Sequence, residues 1–321
     1  MQAKNLKISF IGAGGVSSNT AFIAGLSGMF SEMILIDLYE GFARGRAMDL
    51  EQGFYLAGVD VNCVGTTDYR QIDGSDIIVI TAGDAQRALR RYGVDNREAL
   101  LHKNKLIIES VSRQIREIIP TKGKQPFIIT LTNPLDPILT HFIKAGGYDK
   151  RMTIGSGNLL DTSRFKYYFS RAFGVKASEV DPVVIGQHGK EMVYVLSQSK
   201  VGKKRLLQFA REHGATDAQL AKICDQATGG ANEIITLLEK GGTWYGPAVS
   251  IFDLINAHAN DTKERFSVST WLDGQYGVKD FCLGVPAILG RKGVEEIIEL
   301  EMIPSEKEAF NRAAEFVKTL L

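Results

Sequence analysis

The chain is poor in cysteine and has no long apolar run. Cys63, Cys224 and Cys282 are far apart in 321 residues and odd in number. They form no C-x-x-C spacing, which argues against a redox or metal motif and against a disulfide framework. They read as idle thiols of a reducing compartment, so a cytoplasmic location is expected. No stretch reaches the roughly 18 apolar residues that a membrane-spanning helix requires, so no membrane partner is expected. The opening run Leu6-Lys7-Ile8-Ser9-Phe10-Ile11 is too short for a signal peptide and turns glycine-rich at once. Charge of one sign is lacking too: 38 Lys+Arg against 37 Asp+Glu leave a formal net charge of +1. These charges are interleaved, unlike the basic stripe of a nucleic-acid binder. The expected partner is therefore a small molecule.

What is present is an alternation of short apolar runs and helix-like stretches. Leu6 to Ile11, Met33 to Ile36, Val59 to Val64, Ile77 to Ile80 and Phe127 to Leu131 read as buried strands. Arg44 to Leu56 and Leu100 to Ile119 read as helices between them. Continuous apolar strands alternating with helices predict a parallel sheet covered on both faces. Right-handed crossovers then give an α/β, doubly wound fold. After about residue 150 the pattern changes. Thr162 to Phe173, Asp217 to Leu238, Gly246 to Ala257 and Ser305 to Leu321 read as helices. Val183 to Ile185, Met192 to Val195, Phe266 to Thr270 and Val285 to Leu289 read as strands, the last two antiparallel. No Pro/Ser-rich linker, repeat or low-complexity tract marks a boundary. The division is expected near Gly147, giving a nucleotide-binding domain (1–147) and a C-terminal α+β substrate domain (148–321).

Gly12-Ala13-Gly14-Gly15-Val16-Ser17 follows the first strand and opens a helix. It matches the G-x-G-x-x-G fingerprint of the Rossmann fold except at its last position, where small Ser17 stands. The first glycine serves a tight turn, and the second lets a pyrophosphate approach the helix N-terminus. Asp37, ending the second strand, can accept hydrogen bonds from an adenosine ribose diol. A 2′-phosphate there would meet a like charge, so NAD is expected over NADP.

Oxidising an alcohol by hydride removal needs a base for the hydroxyl proton, and a carboxylate substrate needs a cationic anchor. His188, in Gly186-Gln187-His188-Gly189, follows an apolar strand and is the best base among 5 histidines. Asp161 could orient its imidazole as the third group of a triad does. Arg164, three residues further along a helix, would point to the same side, and its planar fork suits a carboxylate.

At these residues the sequence resembles the L-lactate/malate dehydrogenase family over nearly its whole length. The resemblance is carried by Gly12-Ala13-Gly14-Gly15-Val16, Thr81-Ala82-Gly83, Thr132-Asn133-Pro134-Leu135-Asp136, Leu160-Asp161-Thr162-Ser163-Arg164-Phe165 and Gly186-Gln187-His188-Gly189. It implies that His188 exchanges the proton, that Asp161 stabilises the imidazolium, and that Arg164 binds the substrate carboxylate. It also implies that Arg97 polarises the carbonyl and that Asn133 touches substrate and nicotinamide. Ser156 would lie near the carboxamide. Gly12, Gly14, Gly15, Val16, Asp37, Thr81, Ala82 and Gly83 would line the dinucleotide. No metal is implied, and a homodimer or homotetramer is. A metal-assisted NAD-dependent glycosidase would need cysteine and histidine ligands that the spacing does not offer. A non-catalytic NAD-binding module would have lost the base or the anchor.

The segment Asp84 to Asn96 is longer than usual for the family and carries Arg87, Arg90 and Arg91 before Arg97. A malate enzyme places an arginine there against the second carboxylate. Counting from Gly83 gives Gln86, which is lactate-like, with Arg87 beside it. Thr243 falls where lactate enzymes carry threonine. Glu40 to Leu50 and the C-terminal third are malate-like. Burying a dicarboxylate without a partner costs several kcal/mol, and a loop rich in arginine supplies one. Malate/oxaloacetate is therefore favoured, with lactate/pyruvate or a bulkier 2-oxo acid as the alternative.

Overall fold

The computed structural model describes residues 5–84, 97–119, 123–239 and 241–321. The expectations placed on Gln86 and Arg87, and on the side chain of Arg97, lie outside the described residues. The expected α/β architecture is present. Strands Leu6–Ile11 (β1), Phe30–Ile36 (β2), Asn62–Thr66 (β3), Ile77–Ile80 (β4), Phe127–Thr130 (β5) and Thr153–Gly155 (β6) lie in the order β3-β2-β1-β4-β5-β6. All neighbours among them are parallel. Their apolar side chains are buried because helices cover both faces, which is why the runs do not alternate with polar residues. The strand order reverses between β1 and β4, and a ligand crevice is expected at the carboxyl ends of those two strands.

The sheet does not stop at β6. Its Gly155 pairs antiparallel with Ser269 of Glu264–Asp273 (β12), which pairs along its length with Lys279–Gly290 (β13). Gly284 of β13 meets Gly186 of Val184–Gly186 (β8), which pairs with Met192–Tyr194 (β9). With Gly293–Ile297 (β14) on β13, one sheet of 11 strands among the described residues runs through both halves of the molecule, while Val180–Asp181 (β7), Lys200–Val201 (β10) and Lys204–Arg205 (β11) form a separate small sheet. The antiparallel pair expected around Phe266 and Val285 is thus present, extended at both ends. Helices Gly157–Phe173 and Asp217–Leu238 share a core in the C-terminal half, Phe165 and Phe169 of the first clustering with Leu220, Ile223 and Ala227 of the second. No helix of the described residues is long and apolar enough to cross a membrane.

Two differences from the sequence reading have physical causes. The third strand begins at Asn62 rather than Val59. Val59 donates its N–H to the Phe54 carbonyl (2.9 Å) and Gly58 to Tyr55 (3.1 Å), with Gly58 at φ +70. That is the paired 6→1 and 5→2 closure of a helix C-terminus, so Val59 caps the preceding helix instead of joining the sheet. The helix Leu135–Gly146, not expected from the sequence, begins with six consecutive buried residues, Leu135 to Thr140, so its start reads as an apolar run and only Lys144 and Ala145 near its end are exposed.

Candidate active site

The glycine turn lies where β1 ends. Gly12 has φ +99, and a Cβ there would come within 3.0 Å of the Ala82 nitrogen. Only glycine combines that dihedral with that approach of the β1 and β4 ends. The helix Gly15–Leu26 then starts with no side-chain cap and no acidic residue in its first turn. Its leading N–H groups are left for an anionic ligand. Ser17 is buried and its hydroxyl meets that of Thr81 at 2.8 Å, which explains why a small residue suffices at the last fingerprint position. Val16 is half-buried against the core.

Asp37 accepts the Ala13 N–H at 2.9 Å through Oδ2. The carboxylate expected to face a ribose thus also closes the glycine turn, and an ionised carboxylate has acceptor capacity for both. Thr81 and Ala82 both donate backbone N–H to the Ile11 carbonyl at 2.9 Å. Gly83 lies against Thr132, whose hydroxyl donates to the Ala82 carbonyl at 2.7 Å. Asn133 is exposed beyond this knot, and its carbonyl accepts the Asn104 side-chain amide at 2.6 Å. Ser156 is fully buried, and its hydroxyl has no partner among the described residues. A buried hydroxyl without a partner is costly alone. It fits a ligand that brings its own amide, as the nicotinamide carboxamide does. The residues present therefore suit a bound NAD.

The second group of expected residues forms a chain of charged side chains. Asp161 is wholly buried on the helix Gly157–Phe173. Its Oδ2 meets His188 Nδ1 at 2.8 Å, and its Oδ1 accepts from Arg164 Nη1 at 2.9 Å. Arg164 lies one helical turn from Asp161, as the i,i+3 spacing predicts. The His188 and Arg164 side chains are 10% and 13% exposed. His188 stands in a turn whose flanking Gly186 (φ +81) and Gly189 (φ +149) carry the chain away from β8. Gln187 braces that turn: it donates to the His188 carbonyl (2.8 Å) and accepts the Glu191 N–H (3.1 Å).

With Nδ1 committed to Asp161, Nε2 has no protein partner among the described residues. An imidazole held this way exchanges a proton at Nε2. Burial pulls the His188 pKa down, but the Asp161 charge and hydrogen bond outweigh it, and the net shift is upward from 6.5. The Asp161 carboxylate therefore stabilises the imidazolium against the cost of its burial. Arg164 retains N–H donors beyond the one given to Asp161, and these can hold a carboxylate. Thr243 is half-buried just before Trp244, whose indole lies against Gly15.

Asp136, its partner Ser269 and Gly157 were missed by sequence reasoning. Asp136 is fully buried, accepts the His188 backbone N–H at 2.9 Å, and takes the Ser269 hydroxyl at 2.6 Å. Gly157 lies against the His188 ring. The available signal was a lone carboxylate inside the apolar run Leu135-Asp136-Pro137-Ile138-Leu139.

A dinucleotide turn together with an imidazole oriented by a buried carboxylate is the equipment of an NAD-linked oxidoreductase. Comparison with known proteins agrees. The family models for the lactate/malate dehydrogenase NAD-binding domain and α/β C-terminal domain match residues 6–155 and 159–321. A malate dehydrogenase from Cryptosporidium parvum is 32% identical, covers 98% of each chain, and superposes with a TM-score of 0.92. A lactate dehydrogenase from the same organism, complexed with lactic acid and NAD, is 32% identical. The match covers 98% of this chain and 96% of that one, with a TM-score of 0.91. A malate dehydrogenase from Aeropyrum pernix is 30% identical over 98% and 97%, with a TM-score of 0.86. The chain belongs to the lactate/malate dehydrogenase family.

Proposed function

We propose that the protein is an NAD-dependent L-2-hydroxy acid dehydrogenase acting on malate and oxaloacetate. The observation that carries the reading is the linked set His188–Asp161–Arg164, built around the wholly buried Asp161 carboxylate. NAD, when bound, accepts the hydride from the hydroxyl-bearing carbon or returns it to the oxo carbon. His188 Nε2 takes the hydroxyl proton in oxidation and returns it in reduction. Asp161 holds the ring and balances the imidazolium charge. Arg164 turns its free N–H donors to the substrate carboxylate, fixing which face of the carbon meets the ring. Asn133 and Ser156 hold the nicotinamide end, and Arg97 is assigned to the substrate oxygen.

Support for a dicarboxylate comes from the sequence of the Asp84–Asn96 segment. Its Arg87, Arg90 and Arg91 offer a partner for a second carboxylate, and an unpaired cation would disfavour pyruvate. Gln86 and half-buried Thr243 favour lactate/pyruvate as the second reading. Steady-state NADH oxidation with oxaloacetate, pyruvate and 2-oxoisocaproate decides between them. Oxaloacetate is expected to exceed pyruvate by roughly tenfold or more in kcat/KM. The reverse order establishes the lactate reading, and equal rates on all three remove the preference. The assembly is proposed as a homodimer or homotetramer, supported by exposed Phe42, Met48 and Tyr55 on helix Glu40–Leu56. Sedimentation at a single monomeric mass overturns it.

A further inference from the structure

Arg164 and Asp161 account for one side of the His188 ring, but something must also fix the backbone from which the ring hangs. His188 follows the short strand β8 and lies between two glycines, a segment with little stiffness of its own. Its N–H is held by a single group, Asp136 Oδ2, at 2.9 Å. Asp136 comes from the first turn of helix Leu135–Gly146, 52 residues away in sequence. Its other oxygen takes the Ser269 hydroxyl of β12 at 2.6 Å, and the carboxyl is fully buried. A buried carboxylate with both oxygens committed is a stiff anchor, because breaking either bond strands a charge in low dielectric.

The geometry points to Asp136 as a positioning residue for the acid/base reaction proposed above: it clamps the His188 main chain to the helix after β5 and keeps the imidazole at bonding distance from Asp161. His188 is thus held between two carboxylates on different helices, one at the ring and one at the backbone. The charged groups facing the ring are Asp161 and Arg164 from helix Gly157–Phe173 and Asp136 from helix Leu135–Gly146. Ser269 and Cys282, from β12 and β13, complete the surroundings of Asp136. Burial pushes the Asp136 carboxyl up to about 6, against the hydrogen bonds from Ser269 and His188 that lower it. The Asp136 charge is one of the influences that raise the His188 pKa and so supports the imidazolium. This role rests on the dehydrogenase reading, but the position of the clamp does not depend on which 2-oxo acid is used.

Two variants of the full-length protein test it. Asp136→Asn keeps the size and the acceptor for the His188 N–H while removing the charge, with Ser269 free to accept instead of donate. The His188 titration, followed by NMR on protein without substrate and by the pH profile of kcat/KM, is expected to move down by roughly half to one pH unit. Asp136→Ala removes the anchor. It is expected to lower kcat by about 10- to 100-fold with KM for the oxo acid within about threefold, because Arg164 is untouched. An unmoved His188 titration in Asp136→Asn overturns the proposal, even if the alanine variant does not fold. So does a folded Asp136→Ala variant with unaltered kcat, or one losing NADH affinity, KM and kcat together. The NMR titration needs no turnover, so failure of the dehydrogenase reading itself would show separately, as a wild-type protein inactive on every 2-oxo acid.

Discussion

Replacing Gly157 with alanine adds one methyl group and sets two effects against each other. Gly157 is the first residue of helix Gly157–Phe173. Its dihedrals are helical, so propensity alone favours alanine, by up to about 1 kcal/mol in a helix interior and less at a first position. Against this, a Cβ there would lie 2.6 Å from His188 Cγ, 2.7 Å from His188 Cβ and 2.6 Å from Leu135 Cδ2. Carbon atoms settle about 3.5–4.0 Å apart, so roughly 1 Å must be recovered. The ring cannot simply rotate away: Nδ1 is tied to Asp161 at 2.8 Å and the main-chain N–H to Asp136 at 2.9 Å. Overpacking of this kind costs about 1–3 kcal/mol, more than propensity returns. Misplacing a catalytic group by about 1 Å costs on the order of 100-fold in rate. Gly157→Ala is therefore expected to fold with slightly reduced stability, bind NADH within about threefold of the parent, and lose about 100-fold in kcat/KM. Steady-state kinetics with thermal unfolding and NADH titration on the same sample measure all three. A folded variant with undiminished kcat/KM would refute the packing argument.

Other expectations follow from the same contacts. Asp161→Asn removes the partner that holds the His188 pKa up while the burial that lowers it persists; the NMR-measured imidazole pKa should fall, and kcat should drop by about 100-fold or more. Gly12→Ala places a Cβ 3.0 Å from the Ala82 nitrogen at φ +99; calorimetry should show weakened NADH binding and a lower unfolding temperature, and unchanged binding would contradict the turn geometry. The raised His188 pKa also fixes a sign: reduction of the oxo acid, which needs the imidazolium, should lose kcat/KM as pH rises through a value above 6.5, and oxidation should gain it. By linkage, the stability from the His188–Asp161 pair is fully present below the unfolded value of 6.5 and lost as pH rises through the folded one. Urea unfolding from pH 6 to pH 9 should show that loss in the parent and not in a His188→Asn variant.

The parts of the protein legible in its sequence are those where one local rule decides. The apolar runs of β1, β4 and β5 announce a buried parallel sheet, and Gly12 with Asp37 marks the dinucleotide turn, because the chemistry needs those residue types at those strand ends. Asp161 and Arg164 could be placed together because helical spacing is periodic. The pairing of Asp161 with His188, 27 residues on, was open to chemical logic and to family resemblance, not to spacing. What stayed hidden depends on contacts between distant segments. Nothing near residue 155 predicts that β6 will pair with Ser269 and carry the sheet into the second half. Asp136 reads locally as a polar interruption of an apolar run. Its meaning comes only from Ser269 and His188, which the fold brings to it from two other elements. Gly157 likewise reads as a flexible loop residue until the imidazole is seen lying against its α-carbon.

The charges around His188 also constrain how substrate binding and proton transfer are coupled. Asp161 is shared: one oxygen serves His188 and the other serves Arg164. The Arg164 charge depresses the His188 pKa while Asp161 raises it. When a substrate carboxylate takes the free donors of Arg164, it neutralises part of that opposing charge. The imidazolium then feels Asp161 and Asp136 with less competition, and its pKa rises further. Binding of an unreactive 2-oxo acid analogue such as oxamate to the NADH-loaded protein should therefore take up a proton whenever the pH lies near the free-protein His188 value. The uptake is bounded by one proton per site and should fall towards zero well below that pH, where the imidazole is already charged. Isothermal calorimetry in buffers of different ionisation enthalpy reads the number directly. Arg164→Lys, which keeps the charge but loses the fork, should weaken analogue binding while retaining part of the uptake. Analogue binding with no proton uptake at any pH between 6 and 9 would mean that His188 and Arg164 do not share Asp161 in the working enzyme, and the coupling drawn from this geometry would fail.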